Sequence, residues 1–160
     1  MIAEGLFMSK LNYLIPLWSG CGTGLKRDLQ KIQNRVCRVV TRSDWSTPTE
    51  ELLRQCGWLS VNQLGIYHSV LLVHKTKLSE KPLYLHKMHH EEKYCRLTRQ
   101  AKDEQIKLVG NPRSEVSRGS FRWRSASFYN MLPKQIRDMG NIESFKKALK
   151  LWIQKNIDIH

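Results

Sequence analysis

Between residues 25 and 42 the chain reads LKRDLQKIQNRVCRVVTR. On a helix advancing about 100° per residue this run separates into two faces. Leu25, Leu29, Ile32, Val36, Val39 and Val40 share one arc, expected to pack against a core. Arg27, Lys31, Arg35, Arg38 and Arg42 share another, with only Asp28 opposing them in sign. Upstream, residues 2–18 predict a helix with Leu6, Leu14 and Leu17 among its apolar positions and a kink at Pro16. SGCGTG then supplies a loop. Within TPTEELLRQCG, Thr47 is the expected N-cap, with Pro48 at the first helical position and Glu50 completing a capping box, and Gly57 stops the helix. Ser60 and Gln63 predict a second box, opening the longest apolar helix over residues 61–78. There Leu64, Tyr67, Leu71 and Leu78 repeat on one face beside His68 and His74, and Pro82 ends the element.

Periodicity weakens over residues 83–112 and resumes after Gly119 through Phe121, Phe128, Met131 and Leu132, breaking at Pro133. A last helix over residues 142–156 is expected to bury Phe145, Leu149, Trp152 and Ile153 and leave Lys146, Lys147, Lys150 and Lys155 to solvent. Strand-type alternation is nowhere sustained. The pattern therefore predicts a mostly α fold: a helical subdomain over 1–81, a partly ordered basic connector over 82–118, and a second helical subdomain over 119–160. Trp58, Leu64 and Leu71 join Phe145 and Trp152 as expected core residues.

Charge sharpens this picture. Twenty-seven Lys and Arg against 14 Asp and Glu give a net charge of +13, which favours polyanionic partners, nucleic acid first and an anionic membrane second. The apolar N-terminal run is broken by Glu4, Lys10 and Pro16 and falls short of the ~20 residues a membrane span needs, so neither a membrane anchor nor secretion is expected. Cys21, Cys37, Cys56 and Cys95 lie far apart without a CxxC pair, which suits reduced thiols in the nucleus or cytoplasm.

Candidate chemistry is sparse. His86, His89, His90 and Cys95 match no standard metal-ligand spacing and are crowded by Lys87 and Lys93, so they read as part of an exposed connector. Glu50 and Glu51 are explained by helix capping. GCGTG lacks the Lys-Ser/Thr of a phosphate-binding loop, and no nucleophile has supporting context. No metal, cofactor or small-molecule substrate is expected, and the chain reads as a binding or structural module rather than an enzyme. The cationic arc reads either as a phosphate grip or as a solvated face. Around Arg118, Arg122 and Arg124, the aromatics Phe121, Trp123, Phe128 and Tyr129 suit either base stacking or a core.

Seven runs occur here in one order: LNYLIPLWSG, LQKIQNRVCRVVT, CGWLSVNQL with His68 following, KPLYL, YCRLTR, SFRWRSASFYNMLPKQIR and FKKALKLWI. Together they cover nearly the whole chain. Gln30, Gln33, Asn34 and Arg38, and the Asn130-x-Leu132-Pro133 turn, are their most specific parts. This order resembles the C-terminal region of non-LTR (LINE-type, Jockey-like) retrotransposon reverse transcriptases, downstream of the polymerase site. No Asp-Asp pair occurs, so the family's catalytic residues carry over onto no position. The resemblance implies a post-polymerase helical fragment, inactive alone, that grips template RNA or target DNA. The expected phosphate contacts are Arg27, Lys31, Arg35, Arg38 and Arg42, supported by Arg99, Arg122 and Arg124. The alternative is a structural module that packs on an upstream polymerase domain.

Overall fold

The run VNQLGIYHSVLLVHKTKLS is apolar on almost every side, and such a helix is stable only when surrounded. In the computed structural model, which describes residues 4–91, 105–108 and 114–157, it forms the axle of the fold. In chain order, a π-helical turn (Glu4–Met8) leads into α1 (Ser9–Asn12), α2 (Ile15–Trp18), α3 (Thr23–Thr41), α4 (Thr49–Cys56) and the axle α5 (Val61–Ser79). Helix α6 (Leu83–His86) runs into a second π-helical turn (Lys87–Glu91). Helices α7 (Glu115–Gly119), α8 (Phe121–Met131), α9 (Lys134–Arg137) and α10 (Ile142–Asn156) complete the chain. No strand occurs among the described residues, and the fold is mostly α.

Helices α2, α3, α6, α8 and α10 all pack on α5. Val61, Leu64, Ile66, Val70, Leu71 and Val73 are buried, Tyr67 is half-buried, and Leu78 at the far end is exposed. The core is continuous from Met8 through α5 to Ala126, Tyr129, Phe145, Leu149 and Ile153, so it crosses the expected boundaries at 81 and 119. Trp58, Leu64, Leu71 and Phe145 are buried as expected, whereas Trp152 is only half-buried at the edge of α10.

The caps around α5 follow the sequence. Ser60 Oγ accepts from Gln63 N at 3.2 Å and Gln63 Oε1 accepts from Ser60 N at 3.1 Å, which closes the capping box. Gln63 Nε2 also donates to the Ile157 carbonyl at 2.8 Å, fastening the end of α10 to the start of α5. Gly57 ends α4 with φ +68°. The cap expected of Thr47 is not made: α4 starts at Thr49 with Pro48 at its N-cap, and no side chain caps it. Thr47 instead offers its carbonyl to Arg38 Nη2 at 3.4 Å.

Two further expectations are corrected. The N-terminal helix breaks at Tyr13–Leu14, where Leu14 takes a left-handed φ of 49°, and Pro16 lies inside the first turn of α2, where its missing N–H costs nothing. The break turns Met8, Leu11 and Ile15 inward and leaves Leu6, Leu14 and Leu17 exposed. In the expected connector, His89 is buried: its Nε2 lies 2.9 Å from Ser125 Oγ and its ring meets Phe121 edge-on. Ile106 is buried as well, its N–H and C=O held at 2.8 Å each by the Asn130 side-chain amide. Cys95 and Arg99 lie outside the described residues, as does the His90 side chain.

The loop before α3 meets the α7–α8 junction backbone to backbone. A Cβ on Gly20 would stand 2.2 Å from the Gly119 carbonyl oxygen, which no side-chain rotation relieves. Gly20→Ala is therefore expected to cost about 1–3 kcal/mol or more, read as a lowered thermal midpoint. Gly24→Ala, with open space around it, serves as the control.

Candidate nucleic-acid interface

Helix α3 docks by its amides rather than by its apolar arc. Gln33 is fully buried and donates to the Leu59 carbonyl at 2.9 Å. Gln30 accepts from Val61 N at 2.9 Å and donates to Gln33 Oε1 at 3.0 Å and Asn34 Oδ1 at 2.8 Å. Asn34 in turn donates to Thr49 Oγ1 at 2.9 Å. This chain of amides ties α3 to the starts of both α4 and α5. Cys37, also fully buried, closes the contact with α4; burial and a hydrogen bond with Cys56 push its thiol pKa up to about 12.

The apolar arc expected to face the core is consequently rotated outward. Leu29 and Val36 still touch the core. Leu25, Ile32, Val39 and Val40 are exposed, at between 44% and 79%. Periodicity identifies an apolar arc, but it cannot weigh that arc against polar side chains that find buried partners 15 to 31 residues away.

Beside this exposed arc the cationic stripe stands in solvent. Arg27, Lys31 and Arg35 are exposed and fall within about 80° of helix surface, and Arg42, the left-handed C-cap that ends α3, is exposed as well. Lys31 pairs with Asp28 at 3.0 Å, but both side chains are well over half exposed, so the pair is worth little. From Arg27 to Arg42 the stripe runs about 22 Å, comparable to about six nucleotides of one strand at a 3.4 Å rise.

The other predicted contacts are placed differently. Arg38 is half-buried, with its guanidinium 4.7 Å from the centroid of the exposed Trp45 ring. Its Nε is buried without a hydrogen-bond partner. Arg124 is half-buried and faces inward: Nη2 donates to the Pro16 carbonyl at 2.9 Å and to Ser19 Oγ at 2.7 Å, clasping the end of α2. Desolvation lowers its pKa from the ordinary guanidinium value. Arg124 is thus a structural cation rather than part of an open phosphate grip. Arg122 is half-buried on α8, close enough to His89 for its charge to disfavour protonation of that ring. Three of the four aromatics of this segment face inward: Tyr129 is buried, Phe128 packs against the core, and Phe121 meets His89 edge-on, while Trp123 is half-buried.

His74 is a satisfied packing residue. Its ring stacks on Phe145 at 3.6 Å, with Nε2 2.9 Å from the Met139 carbonyl oxygen and Nδ1 3.3 Å from Tyr129 Oη. Burial lowers its pKa below the ordinary histidine value. Among the described residues, no group of three His, Cys, Asp or Glu side chains could hold a metal ion, and no helix is long and apolar enough to cross a membrane.

Comparison with protein-family models, curated proteins and solved structures finds no match.

Proposed function

We propose that this chain is a nucleic-acid-binding module that holds RNA or DNA by the phosphate backbone through the exposed face of α3, and that it is not catalytic alone. The observation that carries the reading is the row of four exposed cations, Arg27, Lys31, Arg35 and Arg42, on a chain of net charge +13. Backbone contact needs cations in a line and no base-specific geometry. The sequence resemblance supplies the biological setting within this proposal: the post-polymerase helical region of a retroelement reverse transcriptase, gripping template RNA or target DNA.

Four neutralised phosphates give a log–log salt slope of about −2.8 on single strands and about −3.6 on duplex. Reversing two of them, Arg27→Glu with Arg35→Glu, is expected to weaken binding at least about tenfold at low salt and to flatten the slope markedly. Both side chains point away from the core, so helical circular dichroism should be unchanged. Equal binding by wild type and double mutant would remove α3 from the functional account.

A second reading, a structural module packed on an upstream polymerase domain, is favoured by one observation: the exposed apolar stripe of Leu25, Ile32, Val39 and Val40 beside the cations. It is the reading left standing if charge reversal leaves nucleic-acid binding unchanged.

A further inference from the structure

We propose that Trp45 is a base-stacking platform at the end of the α3 stripe, which makes unpaired nucleotides the substrate class of this interface. The inference rests on the backbone-binding reading above but on a different observation. Trp45 is 72% exposed, in the loop between α3 and α4, although an indole of this size is ordinarily covered.

The ring is held there by its surroundings. Arg38 lies against it at 4.7 Å from the centroid, and the same guanidinium donates to the Thr47 carbonyl across the loop. Trp45 N donates to Asp44 Oδ1 at 2.6 Å, and Thr47 N donates to the Asp44 carbonyl at 3.2 Å. Ser43 Oγ bonds Thr41 Oγ1 at 2.7 Å and donates to Gln55 Oε1 at 3.1 Å, so both ends of the loop are pinned. A cation on the ring and open solvent around the rest is the arrangement in which a base can stack without a rearrangement of the protein.

Position completes the case. Arg38 and Arg42 lie one turn apart and immediately before the loop, so a strand tracking the stripe arrives beside the indole. Along the stripe, away from a strand end, only an unpaired base can present its face to the ring. In a duplex the base faces are already covered by their neighbours, and reaching one requires unstacking a step. Stacking tolerates every base, which agrees with a grip that reads no sequence.

The test compares three ligands on the full chain at one low salt concentration: a single-stranded oligonucleotide, a blunt duplex of equal length, and heparin, a polyanion without bases. Trp45→Ala is expected to weaken single-strand binding about fivefold to 150-fold, leaving heparin affinity, duplex affinity and the salt slope unchanged. Trp45→Phe should retain most of the single-strand affinity. If wild type binds the single strand and Trp45→Ala binds it equally well, the stacking role is overturned and the backbone grip survives. The stacking role is likewise overturned if Trp45→Ala loses heparin and single strand in equal proportion, since the ring would then only arrange the cations. A wild type that binds none of the three ligands overturns the backbone reading, and this inference with it.

Discussion

Phe145→Ala is expected to lower the unfolding free energy by about 3–5 kcal/mol, a large share of the 5–15 kcal/mol typical of a domain. Phe145 has no solvent exposure, and its ring lies 3.6 Å from that of His74 with only 8° between their planes. Removing it opens a cavity at the junction of α5 and α10. It also strips the cover from His74, whose two nitrogens fix Tyr129 and the Met139 carbonyl. The loss should appear as a lower denaturant midpoint with an unchanged slope, if the native state stays as compact. Trp152→Ala, on the same helix, removes a larger side chain that is only half-buried, and should cost less. A greater cost for Trp152 would mean that α10 is turned about its axis relative to this packing.

The same two helices show which features were legible in the sequence. The limits of α5 and α10 follow from local rules: the Ser60–Gln63 box and apolar density for α5, and the spacing of Phe145, Leu149 and Ile153 for α10, whose start the structure shows capped by Asn141 on Glu143 N and Ser144 N at 2.8 and 3.2 Å. Such rules involve residues a few positions apart, so the sequence displays both partners together. The orientation of α3 depends on Gln33 reaching Leu59 and Gln30 reaching Val61, pairings that exist only once the chain has folded. The amides of Gln30, Gln33 and Asn34 became the docking side, and four of the six residues of the apolar arc were left outside. His89, Ile106 and Arg124 were unreadable for the same reason, since each is held inside by a partner at least 24 residues away.

For the candidate site, the cations themselves were visible, and four of the five stand exposed, three on one side of α3 and Arg42 at its C-cap. The fifth, Arg38, could not be placed because its partner is a tryptophan in the loop beyond the end of α3, where helical spacing no longer sets the direction of a side chain. Trp45 itself had no periodic signal. An aromatic flanked by turn residues and preceded by arginines one and two turns back was the pattern available to find it.

Mild acid should destabilise the protein well before its carboxylates titrate. His68, His74 and His89 all have pKa values lowered from 6.5, each chiefly by burial, with the cations Lys75, Lys77 and Arg122 respectively adding to the shift. Backbone carbonyls oppose it at His74 and His89 without overcoming it. A histidine whose folded pKa lies below its unfolded value takes up protons more readily in the unfolded chain. Its full contribution is therefore present above about pH 6.5 and is lost progressively as the pH falls towards the folded pKa. Glu51 and Glu143 have pKa values lowered from 4.5 by hydrogen bonds to Gln55 and Lys146, so their losses fall in a lower window. Thermal midpoints followed by circular dichroism should fall from about pH 7.5 to about pH 5. His74→Gln is expected to be less stable at neutral pH, because the stack on Phe145 is lost, and to show a smaller drop across that interval. An equal drop in wild type and His74→Gln would show that the buried imidazole of α5 is not a source of acid sensitivity.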